Sequence, residues 1–192
     1  MTVTNEQCVA IVDHWLNIAH KMPSPNFNQR PENVPVSLLV IHNISLPPGE
    51  FGGGYVQQFF QNRLDSAMHP YFESIAALQV SAHLFIERDG KITQFVSFAD
   101  RAWHAGISSF EGVPNCNDYS IGIEMEGTDD QHFTDIQYEQ LAKVTRHLLL
   151  TYPTLTLGRI TGHEHIASGR KTDPGPYFDW SRYFALITPS RC

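Results

Sequence analysis

Apolar residues recur along the chain with two spacings, one typical of helices and one of strands. Residues 5–20 place apolar side chains every three or four positions, which predicts a helix with one buried face. These side chains are Val9, Val12, Leu16 and Ala19. Residues 133–152 repeat the pattern, and Thr134 stands three positions before Gln137 as in a capping box. Shorter helices are predicted over residues 55–64, 71–78 and 179–187.

The pattern predicts strands in three regions of the chain. Residues 37–41 form a short apolar run rich in β-branched residues, which is typical of a buried strand. Residues 83–87 and 91–96 flank Arg88-Asp89-Gly90, which predicts a hairpin around an Asp-Gly turn. Residues 120–126 alternate apolar and other side chains, the period of a half-buried strand. Strands interleaved with helices predict an α/β single domain with a central mixed β-sheet flanked by helices.

Length and composition narrow the class of protein. A chain of 192 residues suits one domain spanning 1–192. It contains no apolar run near the roughly 18–20 residues of a membrane helix. The first residues lack the pattern of a secretory signal. The three cysteines, Cys8, Cys116 and Cys192, are odd in number and widely spread, so we expect a reducing, cytoplasmic location without a disulfide framework.

The charge balance argues against a nucleic-acid partner. Thirteen Lys and Arg oppose 20 Asp and Glu, which gives a formal net charge of −7. Nucleic-acid binding requires a basic face, and no basic run occurs. The adjacent cations Arg170 and Lys171 could still attract an anionic ligand.

Residues 161–176 concentrate the side chains that carry chemistry. His163, His165 and Asp173 lie within this Gly- and Pro-containing segment, and His42 follows the apolar run of the first predicted strand. Imidazole and carboxylate groups are ligands that zinc accepts, and three protein ligands plus water is the pattern of catalytic zinc. The pattern therefore predicts a metal-dependent hydrolase.

Spacing alone leaves several choices open. In an extended segment His163 and His165 would face one side and could share a metal. Glu124 and Glu126 share a strand face, and either could be the base that such a reaction needs, or both could face solvent. Lys171 could stabilise a developing oxyanion or be an ordinary surface lysine.

Aromatic residues add a weaker signal. Residues 103–106, with the sequence Trp-His-Ala-Gly, could line a cleft because an indole face stacks on flat apolar surfaces. A buried core tryptophan explains the same pattern. His69 and His83 we interpret as structural.

Five ordered motifs resemble the zinc-dependent N-acetylmuramoyl-L-alanine amidase family, the type 2 amidases, and within it the branch that acts in cytoplasmic cell-wall recycling. The resemblance spans about residues 10–187, which we take as the core of the domain. The motifs are residues 39–49, 80–83 with the turn at 88–90, 102–106, 117–124 and 169–175.

The resemblance implies a fold, a reaction and a set of site residues. The fold would be of the type 2 amidase, or peptidoglycan-recognition, kind. One Zn²⁺ ion would be bound, and the amide between the lactyl group of (1,6-anhydro)-N-acetylmuramic acid and L-alanine would be hydrolysed. The implied metal ligands are His42, His163 and Asp173. The implied catalytic residues are Glu124, Lys171 and Tyr71, and the implied substrate contacts are Asn43 and Trp103.

Two alternative functions share this scaffold: a non-catalytic muropeptide-binding module and an envelope amidase acting on intact murein. The module typically lacks a zinc ligand, whereas this chain retains a full candidate set. The envelope enzyme should carry a signal sequence, and none is visible. We therefore expect a monomeric cytoplasmic enzyme with a small muropeptide substrate and no membrane partner. The sequence departs from the family pattern at His165, where an acidic residue is expected, and at Ser168, where a proline is expected.

Overall fold

The computed structural model describes residues 9–188, which form an α/β fold around a six-stranded mixed sheet. The strands are β1 (Ile11–Val12), β2 (Trp15–Leu16), β3 (His20–Lys21), β4 (Phe27–Gln29), β5 (Leu38–Ile44), β6 (Leu84–Ile86), β7 (Ile92–Gln94), β8 (Asp100–Ala102), β9 (Ser109–Phe110), β10 (Val113–Pro114), β11 (Ser120–Glu126) and β12 (Ile160–Gly162). The α-helices are α1 (Tyr55–Phe60), α2 (Pro70–Ile75), α3 (Asp135–Thr151), α4 (His163–Ile166) and α5 (Trp180–Ile187).

The central sheet has the strand order β12-β5-β11-β6-β7-β3. Strands β12, β5, β11 and β6 run parallel, whereas β7 is antiparallel to β6. The predicted mixed sheet is therefore confirmed. Parallel neighbours require crossover connections, which place helices on the sheet faces.

The two faces of the sheet have different roles because side chains alternate along each strand. Leu39 and Ile41 of β5 share one core cluster with Ile123 of β11 and with Leu141 of α3. The same cluster extends to Tyr183 of α5. The intervening residues of β5 and β11 therefore face away from α3, and His42 and Glu124 are among them.

The long helix and the hairpin are confirmed. Helix α3 begins at the capping box: Gln137 N donates to Thr134 Oγ1, and Thr134 N donates to Gln137 Oε1. Strands β6 and β7 pair antiparallel, and Gly90 adopts the left-handed φ of +84° that the turn needs. Among residues 9–188, no helix is long and apolar enough to cross a membrane.

The predicted N-terminal helix is wrong where the chain is described; its residues 5–8 lie outside the described part. Strands β1 and β2 instead form a tight hairpin around Asp13 and His14, both with positive φ. The side chain of Gln94 holds this hairpin: its Oε1 accepts from Leu16 N, and its Nε2 donates to His14 O. A distant glutamine therefore overrides the local helical spacing.

Other element boundaries also differ from prediction. Strand β11 is buried along its whole length, so its expected half-burial is wrong, because α3 covers one face and other chain segments cover the other. Helix α1 ends at Phe60, four residues early, since Asn62 takes a left-handed conformation and Arg63 N donates to Gln58 O. This is the hydrogen bond of a Schellman motif. Strand β5 extends to Ile44.

Candidate metal centre and active site

The site begins where β5 and β11 run side by side. Their register pairs His42 directly with Glu124. Both residues lie on the sheet face opposite α3, and both are nearly inaccessible, with 1% and 8% exposure. A buried imidazole and a buried carboxylate are thus held next to each other by regular backbone pairing.

The second part of the site follows β12, which pairs with the other edge of β5. His163 is the first residue of α4, directly after this strand. Glu164 N donates to Asp173 O at 2.9 Å, which ties the loop carrying Asp173 to the start of the helix. Gly162 permits this approach, because a Cβ there would lie 2.8 Å from Pro174 Cδ.

Three donor atoms converge between these segments. His42 Nδ1, His163 Nδ1 and Asp173 Oδ2 lie 3.0 Å from one another. Tetrahedral zinc with bonds of about 2.0–2.1 Å would separate its ligands by roughly 3.3 Å. The cluster therefore fits a small metal ion after a shift of a few tenths of an ångström, and it is the only such group of three donors among residues 9–188.

The outer ring nitrogens support the same interpretation. His163 Nε2 lies 3.1 Å from Ala105 O, which can only accept, so in the neutral ring this nitrogen carries the proton and Nδ1 keeps the lone pair. His42 Nε2 lies 2.9 Å from His104 Nδ1. Metal-binding histidines characteristically engage their second nitrogen in this way.

Electrostatics favours a neutral His42 and an ionised Asp173. Burial lowers the pKa of His42 to about 4, although the hydrogen bond to Asp173 acts in the opposite direction. Burial raises the pKa of Asp173, but hydrogen bonds with His163 and His42 outweigh it and hold that pKa below its ordinary value. Neutral imidazole and carboxylate are the forms that bind metals.

Glu124 differs from Glu126 in its hydrogen bonding. Glu124 Oε2 is buried without a hydrogen-bond partner among the described residues. Burial and the Asp173 carboxylate raise the pKa of Glu124 well above its ordinary value, whereas Lys171 lowers it. Glu126 accepts from Gly52 N at 2.6 Å and from Arg88 N at 2.9 Å, so its carboxylate holds two loops together.

A cavity of about 640 Å³ opens over these groups. All eight predicted site residues line it: His42, Asn43, Tyr71, Trp103, Glu124, His163, Lys171 and Asp173. Pro48 is also part of the wall, but the three glycines at positions 52–54 are not. The sequence-predicted residues are therefore brought together, although they come from six separate segments.

The remaining four predicted residues differ in how firmly they are held. Asn43 Nδ2 donates to Asp129 Oδ1 at 2.7 Å and to Pro174 O at 3.1 Å. Trp103 Nε1 donates to Asn28 Oδ1 at 2.7 Å. Lys171 is exposed, and its ammonium group has no hydrogen-bond or ion-pair partner within residues 9–188. Tyr71 on α2 is 41% exposed.

His165 does not share the donor cluster. Residues 163–166 form the helix α4 and not an extended segment, so the two histidines, two positions apart, point in different directions. The His165 side chain is 60% exposed and its ring lies near Trp180, 6.4 Å between centroids. His83 is structural as predicted: its Nδ1 accepts from Gly122 N, and its Nε2 lies 3.1 Å from Asp100 O.

Sequence reasoning did not identify the residues that contact the metal ligands or hold the segment that carries those contacts. His104 contacts His42, its Nε2 lies 3.0 Å from Ser120 Oγ, and Asn117 Oδ1 accepts from the backbone N–H groups of His104 and Ala105. The motifs at 102–106 and 117–124 contain all of these residues. Nothing in their spacing, however, indicates that they meet His42.

The sequence and the fold match known amidases. A family model described as N-acetylmuramoyl-L-alanine amidase matches residues 32–176. The chain is 56% identical over 176 residues to the 1,6-anhydro-N-acetylmuramyl-L-alanine amidase AmpD of Citrobacter freundii, covering 92% of this chain and 94% of the relative.

Solved structures give the same result. A crystal structure of a selenomethionine AmpD derivative superimposes with a TM-score of 0.90 at 54% identity, covering 93% of this chain and 99% of that one. AmiD from E. coli was solved with the substrate anhydro-N-acetylmuramic acid-L-Ala-D-γ-Glu-L-Lys. It shares 26% identity and a TM-score of 0.58, covering 82% of this chain and 60% of AmiD. This chain belongs to the N-acetylmuramoyl-L-alanine amidase family.

Proposed function

We propose that this amidase is a zinc enzyme that hydrolyses the amide between the lactyl group of 1,6-anhydro-N-acetylmuramic acid and L-alanine in peptidoglycan recycling. The observation that carries the proposal is the convergence of three donor atoms beside a buried carboxylate oxygen that has no partner among the described residues. A non-catalytic muropeptide-binding module would need neither the full donor set nor the unpartnered carboxylate.

His42, His163 and Asp173 would hold the ion. Two imidazoles and one carboxylate form a ligand set that zinc accepts in catalytic sites, with a fourth position left for water or substrate. When bound, zinc supplies a Lewis acid for the amide carbonyl and lowers the pKa of water to about 7.

Glu124 would take the proton from the attacking water and deliver it to the leaving amine of L-alanine. A general acid–base group works best when its pKa lies near the operating pH. Burial raises the pKa of Glu124 from the ordinary carboxyl range, which supports this role. Glu126 is a poorer candidate, since both of its carboxylate oxygens accept hydrogen bonds from backbone N–H groups.

Lys171 would stabilise the negative charge that develops on the carbonyl oxygen. Lys171 lines the cavity, and its ammonium group has no ion-pair partner in the described chain, so it can turn towards a substrate oxygen. Tyr71, which also lines the cavity, would support the same step by donating a hydrogen bond from its hydroxyl group to the substrate. Donors directed at the developing negative charge stabilise the transition state.

The cavity would accept one anhydromuramoyl peptide. Its volume lies in the range of small-molecule sites. Asn43 would bind the peptide near the scissile amide, and the Trp103 indole would pack against the sugar ring. The names of AmpD and the substrate bound to AmiD support an anhydro-sugar ligand.

Charge and cysteine usage bear on the compartment and the partners of this protein. We infer a cytoplasmic monomer, comprising one amidase domain over 1–192 and without a nucleic-acid or membrane partner. The net charge of −7 opposes nucleic-acid binding. Cys116 is buried as a free thiol, which is compatible with a reducing compartment.

Product analysis by mass spectrometry tests the proposal. Purified enzyme is incubated with an anhydromuropeptide and with the matching reduced muropeptide, each with and without a zinc chelator. We expect free peptide beginning with L-alanine from the anhydro substrate, and we expect the chelator to abolish it. Cleavage of the reduced substrate alone would indicate an amidase for ordinary muramoyl ends. Cleavage of neither would favour a binding module.

A further inference from the structure

We infer that His104 is a positioning residue that fixes the ring orientation and the proton of His42 for metal binding. The inference rests on the proposed metal site, in which His42 Nδ1 faces the donor cluster. Of the two ring nitrogens of His42, Nε2 is the one that lies against His104, 2.9 Å from its Nδ1. The two rings meet edge-on, with an interplanar angle of 87°.

A chain of two hydrogen bonds sets the protonation of both rings. A metal at His42 Nδ1 requires a lone pair there, so the proton of His42 lies on Nε2 and is donated to His104 Nδ1. His104 must then carry its own proton on Nε2. This proton is donated to Ser120 Oγ, 3.0 Å away, on a side chain with 0% exposure.

The surrounding backbone is shaped to hold the His104 ring. A Cβ at Gly122 would lie 2.5 Å from His104 Cγ, so only glycine on β11 leaves room for the imidazole against the sheet. Asn117 Oδ1 accepts from His104 N and Ala105 N and thereby anchors this segment. The carbonyl oxygen of Ala105 accepts a hydrogen bond from His163 Nε2. Residues 104–105 therefore contact the second ring nitrogen of both ligand histidines.

Two variants of similar size separate hydrogen bonding from packing. His104→Leu keeps the volume but removes the acceptor, whereas His104→Asn keeps an oxygen close to the position of Nδ1. Zinc dissociation constants are measured by competition with a chromophoric chelator, using the metal-free full chain. Thermal unfolding of the same metal-free proteins reports packing separately.

We expect His104→Leu to weaken zinc binding about 10- to 100-fold, the usual cost of losing such a partner, and His104→Asn to remain within about threefold of the wild type. Equal zinc affinity in wild type and His104→Leu would overturn the inference, as would equal weakening in the Leu and Asn variants.

If His104→Leu does not fold, Ser120→Ala tests the same chain of hydrogen bonds from its other end. About three- to tenfold weaker zinc binding supports the chain of hydrogen bonds, and unchanged affinity contradicts it. Failure of the wild type to bind zinc would instead refute the proposed metal site.

Discussion

Glu124 lies directly opposite His42 on the adjacent parallel strand, so regular sheet pairing alone sets the predicted base beside a predicted metal ligand. No loop has to close to create this relationship. The two side chains share one sheet face, and both are buried. A substitution at either position should therefore alter chemistry without a large rearrangement of the fold.

Replacing Glu124 by Gln should reduce turnover by about two or more orders of magnitude, because the amide cannot take up and return a proton. Zinc affinity should stay close to that of the wild type, since Glu124 is not among the three donors. Glu126→Gln is the matched control. The NH₂ group of the glutamine would face the Arg88 N–H, so that two donors meet without an acceptor. The free energy of unfolding should therefore fall by about 1–3 kcal/mol, while turnover falls less than tenfold. A larger loss of turnover in Glu126→Gln than in Glu124→Gln would reverse the assignment.

His163 and His165 should respond oppositely to substitution by alanine. His163→Ala removes a donor atom from the cluster, so bound zinc and turnover should both be lost. His165→Ala removes an exposed ring that points towards Trp180, and both properties should remain near the wild-type level. The check is metal analysis of purified protein together with a hydrolysis assay. Loss of zinc from His165→Ala would show that this histidine is a ligand after all.

Lys171→Met should lower kcat about 100-fold, the usual scale for removing one donor to an oxyanion, with a smaller effect on KM. The methionine retains most of the length of the side chain but not its charge. Lys91→Met serves as the control, because Lys91 is paired with Glu87 on the hairpin away from the cavity. Steady-state kinetics on an anhydromuropeptide measures both. A rise in KM at unchanged kcat would assign Lys171 to ground-state binding instead.

His83 should make the metal-free protein less stable as the pH falls. Burial lowers the pKa of His83 to about 3, below the ordinary value of about 6.5 that it recovers on unfolding. The unfolded chain therefore binds a proton between these values that the folded chain does not, and stability present above pH 6.5 is lost progressively towards pH 3.

The variant His83→Asn tests this contribution, because its side-chain oxygen can still accept from Gly122 N but cannot titrate. Urea unfolding at pH 7 and pH 5, with chelator present, should show a pH-dependent loss about 1–2 kcal/mol smaller in the variant. The same loss in both proteins would mean that His83 does not carry this dependence.

Much of the fold could be predicted from sequence, because the relevant signals are local. The capping box of Thr134 and Gln137 and the Asp-Gly turn before Lys91 need only neighbouring residues. The N-terminal hairpin could not be predicted, since the side chain that holds it, Gln94, lies almost eighty residues away in the sequence.

The sequence predicted which residues line the site, but not which of them contact one another. Pattern alone could not separate Glu124 from Glu126, which share a strand face. The difference arises from Gly52 N and Arg88 N, whose distance in sequence hides their contact with Glu126. Spacing also left open whether His165 binds the metal. The structure places it outside the donor cluster, because α4 begins immediately after β12 and the geometry of an extended segment does not apply. The catalytic roles implied by the family resemblance remain predictions.

The central claim is that His42, His163 and Asp173 bind one zinc ion on which amide hydrolysis depends. The most direct test measures zinc content, by inductively coupled plasma mass spectrometry, and turnover on the same protein preparations. The proteins are the wild type, Asp173→Ala and the control Asp135→Ala, whose substituted residue is exposed. We predict about one zinc per chain and full turnover in the wild type and the control, and loss of both in Asp173→Ala. Full turnover by a zinc-free Asp173→Ala protein would contradict the claim.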